Sequence, residues 1–153
     1  MTDYFALPFV DEHATAVAAE ADLVRAALLD TLDGTFSPRG ATAYARAVGC
    51  VPAAASGPRP LAVGSAVPGF AVTAVGPDVV VLEGRHHFSA YALVFRLDRG
   101  ENAETRLRAE TRASFPGLTG GLYRWLVIGS RGHVLGTRRL LAAVRRRAEA
   151  SAA

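Results

Sequence analysis

The ten residues Glu104–Ala113, ETRLRAETRA, restrict the fold more than any other stretch of the chain. Thr105, Leu107, Ala109, Thr111 and Ala113 fall on one side of an extended backbone, and Arg106, Arg108, Glu110 and Arg112 on the other. Strict two-residue alternation of this kind describes an antiparallel strand with one face on a core and the other toward water. The preceding run HFSAYALVFRLD, His87–Asp98, is its partner across the Gly-containing loop Arg99–Asn102. It should place Tyr91, Leu93, Phe95 and Leu97 inward and Arg96 outward. Upstream, GFAVTAV (Gly69–Val75) and VVVLEG (Val79–Gly84) flank the turn Gly76-Pro77-Asp78. Pro116-Gly117 ends the series. A sheet with one apolar face needs a cover, and helices must supply it.

Three helical segments are available. HATAVAA, His13–Ala19, reads as a strand that leads into EADLVRAALLDTL, Glu20–Leu32, where Leu23, Val24, Ala27 and Leu28 share a helical face and Gly34 can end the helix. Ser37-Pro38 supplies an N-cap and a first-turn proline for a second helix reaching Gly49. Val51–Pro60 holds three prolines and a glycine and reads as a loop. From Leu118 to Arg147 the pattern predicts one long amphipathic helix. Arg124, Arg131, Arg138 and Arg145 recur every seven residues as a polar ridge, drifting only about 20° per step. Leu122, Leu126, Gly129, His133, Thr137, Leu140 and Val144 form the opposite stripe.

The middle of that helix poses a question. Gly129, Gly132 and Gly136 each cost about 0.5–1 kcal/mol relative to alanine in a helix interior. Either they let a neighbouring backbone approach closely, or they leave empty volume between helix and sheet, with His133 looking into it.

Composition narrows the chemistry. At 153 residues the chain fits one domain, 1–153, with a core from about His13 to Arg147. All 17 basic residues are arginine, which removes Schiff-base lysines and the phosphate-loop lysine. Residues 1–84 carry net −5 and residues 85–153 net +8. We read this asymmetry as two halves that neutralise each other within one fold. No apolar run is long enough to span a bilayer, and the acidic N-terminus MTDYFALPFVDEH lacks a basic leader, so a cytoplasmic location is expected. One cysteine, Cys50, excludes an internal disulfide and argues against a cysteine metal cage.

The order of elements resembles the helix-grip fold of the START/Bet v 1-like (SRPBCC) superfamily: a strand, two short helices, a loop, an antiparallel run of strands and a long C-terminal helix. The resemblance is carried by HATAVAAEADLVRAAL, by GRHHFSAYALVFRLD and ETRLRAETRASFPG in the sheet, and by GGLYRWLVIGSRGHVLGTRRLL in the closing helix. It implies an α+β fold whose curved sheet wraps the last helix around an apolar cavity. Family members bind lipids, sterols, hormones and polyketides, and some are aromatase/cyclases. Others carry ring-hydroxylating oxygenase domains, which need two histidines and a carboxylate on iron. No such cluster is legible here, so no cofactor and no metal are expected.

The resemblance therefore implies a small hydrophobic molecule, lipid or polyketide-like, held between sheet and helix. Tyr91, Leu93, Phe95, Leu107 and Ala109 would wall the cavity from the sheet, and Leu126, Gly129, His133 and Thr137 from the helix. The alternative is a polyketide cyclase-type enzyme in the same cavity, with His133 and Tyr91 as the acid–base groups. Of His86-His87, parity with Ser89 and Tyr91 points His87 inward, unless a bulge intervenes. Asp11-Glu12-His13 reads as a solvated edge, with no obvious partner for His13. Cys50 reads as a small apolar filler, and Ser130 lacks a nucleophile-elbow context. A third reading is an interaction module, its Arg ridge and Trp125 meeting an acidic partner or an anionic membrane. Nucleic acid is not expected, because no strand alternates aromatics with arginine. The sequence does not set an oligomeric state.

Overall fold

The computed structural model describes residues 3–125 and 131–153, the side chains of residues 119 and 123 apart. A turn of 3-10 helix at Tyr4–Ala6 precedes β1 (Phe9–Val17), α1 (Ala21–Phe36) and α2 (Ala41–Ala47). Then come β2 (Ala66–Val67), β3 (Phe70–Val75), β4 (Val79–His86), β5 (Ser89–Arg99) and β6 (Thr105–Ser114), followed by α3 (Gly117–Arg124) and α4 (Gly132–Ala152). Among the described residues, six strands form one antiparallel sheet in the order β1-β6-β5-β4-β3-β2.

The alternation in β6 holds. Thr105, Leu107, Ala109, Thr111 and Ala113 are all buried. Its register pairs Leu107 with Leu97, Ala109 with Phe95, and Ala113 with Tyr91. Paired residues share a face, so the apolar residues of both strands point to the helices. On the other face Glu110 departs from the expected exposure: it is buried between Arg112, which donates to it, and Arg96, 3.8 Å away. Beside it Arg108 makes a fork to both oxygens of Asp98, at 2.7 and 3.2 Å, and reaches Glu12 at 3.2 Å.

The helices differ from expectation in their limits. Gly34 does not end α1, which runs two residues further to Phe36. Ser37-Pro38 does not start α2; Gly40, in the left-handed region at φ 85°, precedes its first residue, Ala41. The long C-terminal helix is not continuous. α3 ends at Arg124, and α4 starts after Arg131, whose φ of 58° is incompatible with a helix running through it. Leu122, expected on the buried stripe, is exposed on α3 together with Leu118, as is Trp125 just beyond its end. Leu126 and Gly129 lie outside the described residues.

α1 and the C-terminal part of α4 cover one end of the sheet. Leu28, Leu32, Val144 and Ala148 meet Val17, Phe95, Leu97 and Leu107 in a fully buried core. That end is solid. The other end of the same sheet face is not.

Candidate functional site

At the opposite end, strands β5 and β6 present Tyr91, Leu93, Thr111 and Ala113 to a cavity of about 760 Å³. α4 contributes His133, Gly136, Thr137 and Leu140. The end of α1 supplies Phe36, and α2 and its flanks supply Tyr44, Val48 and Cys50. Tyr44, 68% exposed, stands at the rim with Arg39. The volume lies within the range of small-molecule sites, about 300–1,000 Å³.

Gly136 decides between the two readings of the helix glycines at its own position. A Cβ placed there meets nothing within 4 Å. No backbone presses on it: Gly136 is exposed and borders the cavity, and its missing side chain leaves open space there.

Phe95, Leu107 and Ala109 do not line this space. They sit further along β5 and β6, under α1 and the distal half of α4, in the solid core. Inward orientation was readable from alternation; position along the strand relative to the helices was not. His87 is a second correction. A two-residue turn, His87-Phe88, joins β4 to β5, so His86 pairs with Ser89 and shares its face. His86 lines the cavity; His87 is exposed and lies over Gly49, where a Cβ would collide with its imidazole. Parity fails because the chain reverses at His87-Phe88, between His86 and Ser89.

One wall is built around Tyr91. Its hydroxyl donates to the Gly69 carbonyl at 2.8 Å and lies 3.9 Å from Cys50 Sγ. Its ring meets Phe70 edge-on at 5.1 Å and His86 at 5.4 Å. Gly84, opposite Tyr91 in the β4–β5 pairing, makes room for this: a Cβ there would overlap the Gly69 carbonyl oxygen and come within 2.7 Å of the tyrosine ring. His86 Nδ1 accepts from the Phe88 amide at 3.1 Å. Burial, and then the neighbouring His87, push the His86 imidazole below its usual pKa.

A second polar cluster is built around His133, where α4 meets β6 and β1. Its Nε2 lies 3.1 Å from Thr111 Oγ1 and 3.2 Å from Asp11 Oδ1. The other carboxylate oxygen of Asp11 is 3.1 Å from His13 Nε2. Asp11 and His13 pair with Thr111 and Ala109 in the β1–β6 ladder and therefore face α4, not solvent. This corrects the reading of Asp11-Glu12-His13 as a solvated edge. β1 begins at Phe9, four residues before the expected start, and its inward residues include a carboxylate and an imidazole. The signal was present as alternation through Asp11, His13, Thr15 and Val17, masked by the polarity of its first members.

Two histidines and a carboxylate thus meet, but not as a metal centre. Each Nε2 engages a different oxygen of the same carboxylate rather than turning toward a shared point. Among the described residues no group of three or more His, Cys, Asp and Glu has an arrangement that could hold a metal ion. Thr137, behind His133 on α4, donates its hydroxyl to the His133 carbonyl at 3.0 Å. The arginine ridge is partly paired: Arg145 meets Glu149 at 3.1 Å, and Arg147 meets Asp30 at 3.8 Å, while Arg138, Arg139 and Arg146 are exposed.

Comparison with solved structures decides the fold. A norcoclaurine synthase point mutant from Thalictrum flavum, in complex with a transition-state analogue, matches with a TM-score of 0.58 at 12% identity, over 96% of this chain and 99% of that one. The chain has the helix-grip fold. TTHA0849 from Thermus thermophilus matches this helix-grip chain with a TM-score of 0.54 at 17% identity, over 95% and 100% of the two chains. Mll3558 from Rhizobium loti matches with a TM-score of 0.52 at 20% identity, over 90% and 94%. No family model matches the sequence, and no curated protein sequence does. No helix among the described residues is long and apolar enough to cross a membrane.

Proposed function

We propose that this helix-grip protein binds a small, largely hydrophobic molecule, lipid or polyketide-like, in the cavity between the open end of its sheet and the first half of α4. The observation that carries the reading is a cavity of about 760 Å³, bordered by Gly136 where a Cβ would meet nothing, whose polar groups cluster around Tyr91 and around His133. Apolar lining supplies the driving force, roughly 25 cal/mol per Å² of ligand surface removed from water. A few fixed polar groups supply orientation. Tyr91 and His86 would fix one end of the ligand, and His133 with Thr111 the other. Leu93, Thr137 and Leu140 would enclose its apolar body.

An enzyme built on the same cavity is the second reading, and the carboxylate behind His133 favours it. Norcoclaurine synthase is an instance of an enzyme on this fold.

The binding reading is tested with 2-naphthol, an apolar phenol with intrinsic fluorescence, titrated against the wild-type protein and Gly136→Phe. Saturable binding that the bulky side chain abolishes supports it. No binding, or binding indifferent to the substitution, removes it. Native mass spectrometry of protein purified from its own host then searches for the natural occupant as a co-purified small molecule.

A further inference from the structure

We infer that His133 is a general base toward the cavity, with Asp11 as its positioning residue, and that the substrate is an apolar molecule bearing a weakly acidic proton. The inference rests on the cavity reading above and assigns that cavity a reaction.

The geometry has three parts. His133 lines the cavity, whereas Asp11 and His13 stand behind it on β1 and do not. His133 Nε2 is taken up by Asp11 Oδ1 at 3.2 Å, behind the cavity, and by Thr111 Oγ1 at 3.1 Å, on its wall. Nδ1 makes no hydrogen bond among the described residues. Among the described residues, the one buried side-chain nitrogen or oxygen without a partner is Glu83 Oε1, so Nδ1 is not sealed in the protein matrix. An ionised Asp11 accepts, so the ring proton sits on Nε2 and the lone pair on Nδ1. The open nitrogen of the imidazole is then the basic one.

A carboxylate behind an imidazole does two things for proton abstraction. It fixes the tautomer, and it stabilises the imidazolium once the proton has arrived. The second matters here because His133 is in the first turn of α4, where the helix dipole disfavours positive charge. Asp11 offsets that field. His13, on the other oxygen at 3.1 Å, holds the carboxylate in place, so the unit spans β1 and α4 without depending on one flexible side chain.

The step is a proton transfer with no change of oxidation state. The Nδ1 lone pair takes a proton from a carbon next to a carbonyl or from a phenol. The electrons of the broken bond to hydrogen pass to the conjugated oxygen or remain on the phenolate. The imidazolium later returns its proton to another atom of the same molecule or to water. Apolar surroundings disfavour charge on both partners, so the acid must delocalise its electrons. This selects carbonyl-activated or aromatic substrates over simple alcohols.

5-Nitrobenzisoxazole is a suitable probe: an apolar bicycle whose C3–H loses its proton to a base while the N–O bond breaks, giving a coloured cyanonitrophenolate with no co-reactant. Its inert analogue 6-nitrobenzotriazole reports binding separately, by calorimetry. General-base action predicts ring opening about 10²-fold faster than in buffer, with His133→Ala losing at least about tenfold. The analogue should bind that variant more weakly but still saturably, through Tyr91, His86 and the apolar lining that remain, so the loss of rate at saturating substrate is read separately from the loss of affinity. Nitrogen-15 spectra of the wild-type protein should show His133 protonated at Nε2 and bare at Nδ1, and Asp11→Asn should mix the two tautomers. Three results overturn the inference: analogue binding with ring opening at the buffer rate, a rate that His133→Ala leaves intact, or a wild-type His133 protonated at Nδ1. Failure of the analogue and of 2-naphthol to bind at all would instead remove the cavity reading, and the base with it.

Discussion

His86 and Glu83, three positions apart on β4, show how a single strand places one titratable group in the cavity and another where nothing answers it. His86 is held below the ordinary imidazole value of 6.5, first by burial and then by His87. The unfolded chain therefore takes up this proton before the folded one does. Stability should fall as pH drops from about 6.5 through the lowered folded value, and level off below it. Urea midpoints measured from about pH 7.5 down to about pH 5 should show this slope, and His86→Phe should remove part of it. Glu83 lies on the opposite face of β4, among residues as apolar as Val81 and Ala92. It is 9% exposed, and its Oε1 has no hydrogen-bond partner among the described residues. Arg85, two residues along on the same face of β4, makes no ion pair with it among the described residues. An unanswered carboxylate oxygen destabilises, so Glu83→Val should raise stability by about 1 kcal/mol in urea unfolding at neutral pH. A loss of stability would mean that the carboxylate has a partner outside the described residues.

Elements of this fold are set by where side chains are absent as much as by where they are present. Gly136 and Gly84 make opposite predictions from the same substitution. At Gly136 an alanine meets only open space and gains helix propensity, so Gly136→Ala should stabilise by about 0.5–1 kcal/mol. At Gly84 the same change drives a methyl into the Gly69 carbonyl and the Tyr91 ring, so Gly84→Ala should cost about 1–3 kcal/mol and loosen the Tyr91 wall. Thermal or urea unfolding of both variants checks the contrast. Neither difference was available from sequence, where both residues are simply glycines in regular elements. What sequence did convey was period: the alternation of β6 fixed the inward set Thr105 to Ala113, and the order of elements fixed the fold class. Turn geometry was lost, because one chain reversal at His87-Phe88 exchanges the two histidines. Helix continuity was lost because the heptad of arginines runs through Arg131 without registering its left-handed backbone. The Asp11–His133 contact spans 122 positions, and no local pattern encodes a pairing of that range.

Viewed whole, the molecule is packed at one end of its sheet and hollow at the other, and the two ends should answer differently to a ligand. Phe95, Leu97 and Leu107 are sealed under α1 and the distal part of α4, whereas Tyr91, Leu93, Thr111 and Ala113 on the same two strands face the cavity. The acidic first half and basic second half also meet across the structure: Asp22 with Arg99, Glu12 with Arg108, Asp30 with Arg147, and Asp11 with His133. Two of these pairs, Asp22 with Arg99 and Asp30 with Arg147, are well exposed and loosely spaced and contribute little each, about 0–1 kcal/mol. The stability of the packed end therefore comes from apolar burial, not from the charge asymmetry. Amides of Phe95, Leu97 and Leu107 should exchange with solvent only through global unfolding, and those of α2, a seven-residue helix at the cavity rim, through local opening. A ligand seated in the cavity binds the closed form of the rim, so it should slow exchange in α2 and around His133 first. Slowing confined to the core strands, with α2 unchanged, would place the ligand somewhere other than the cavity.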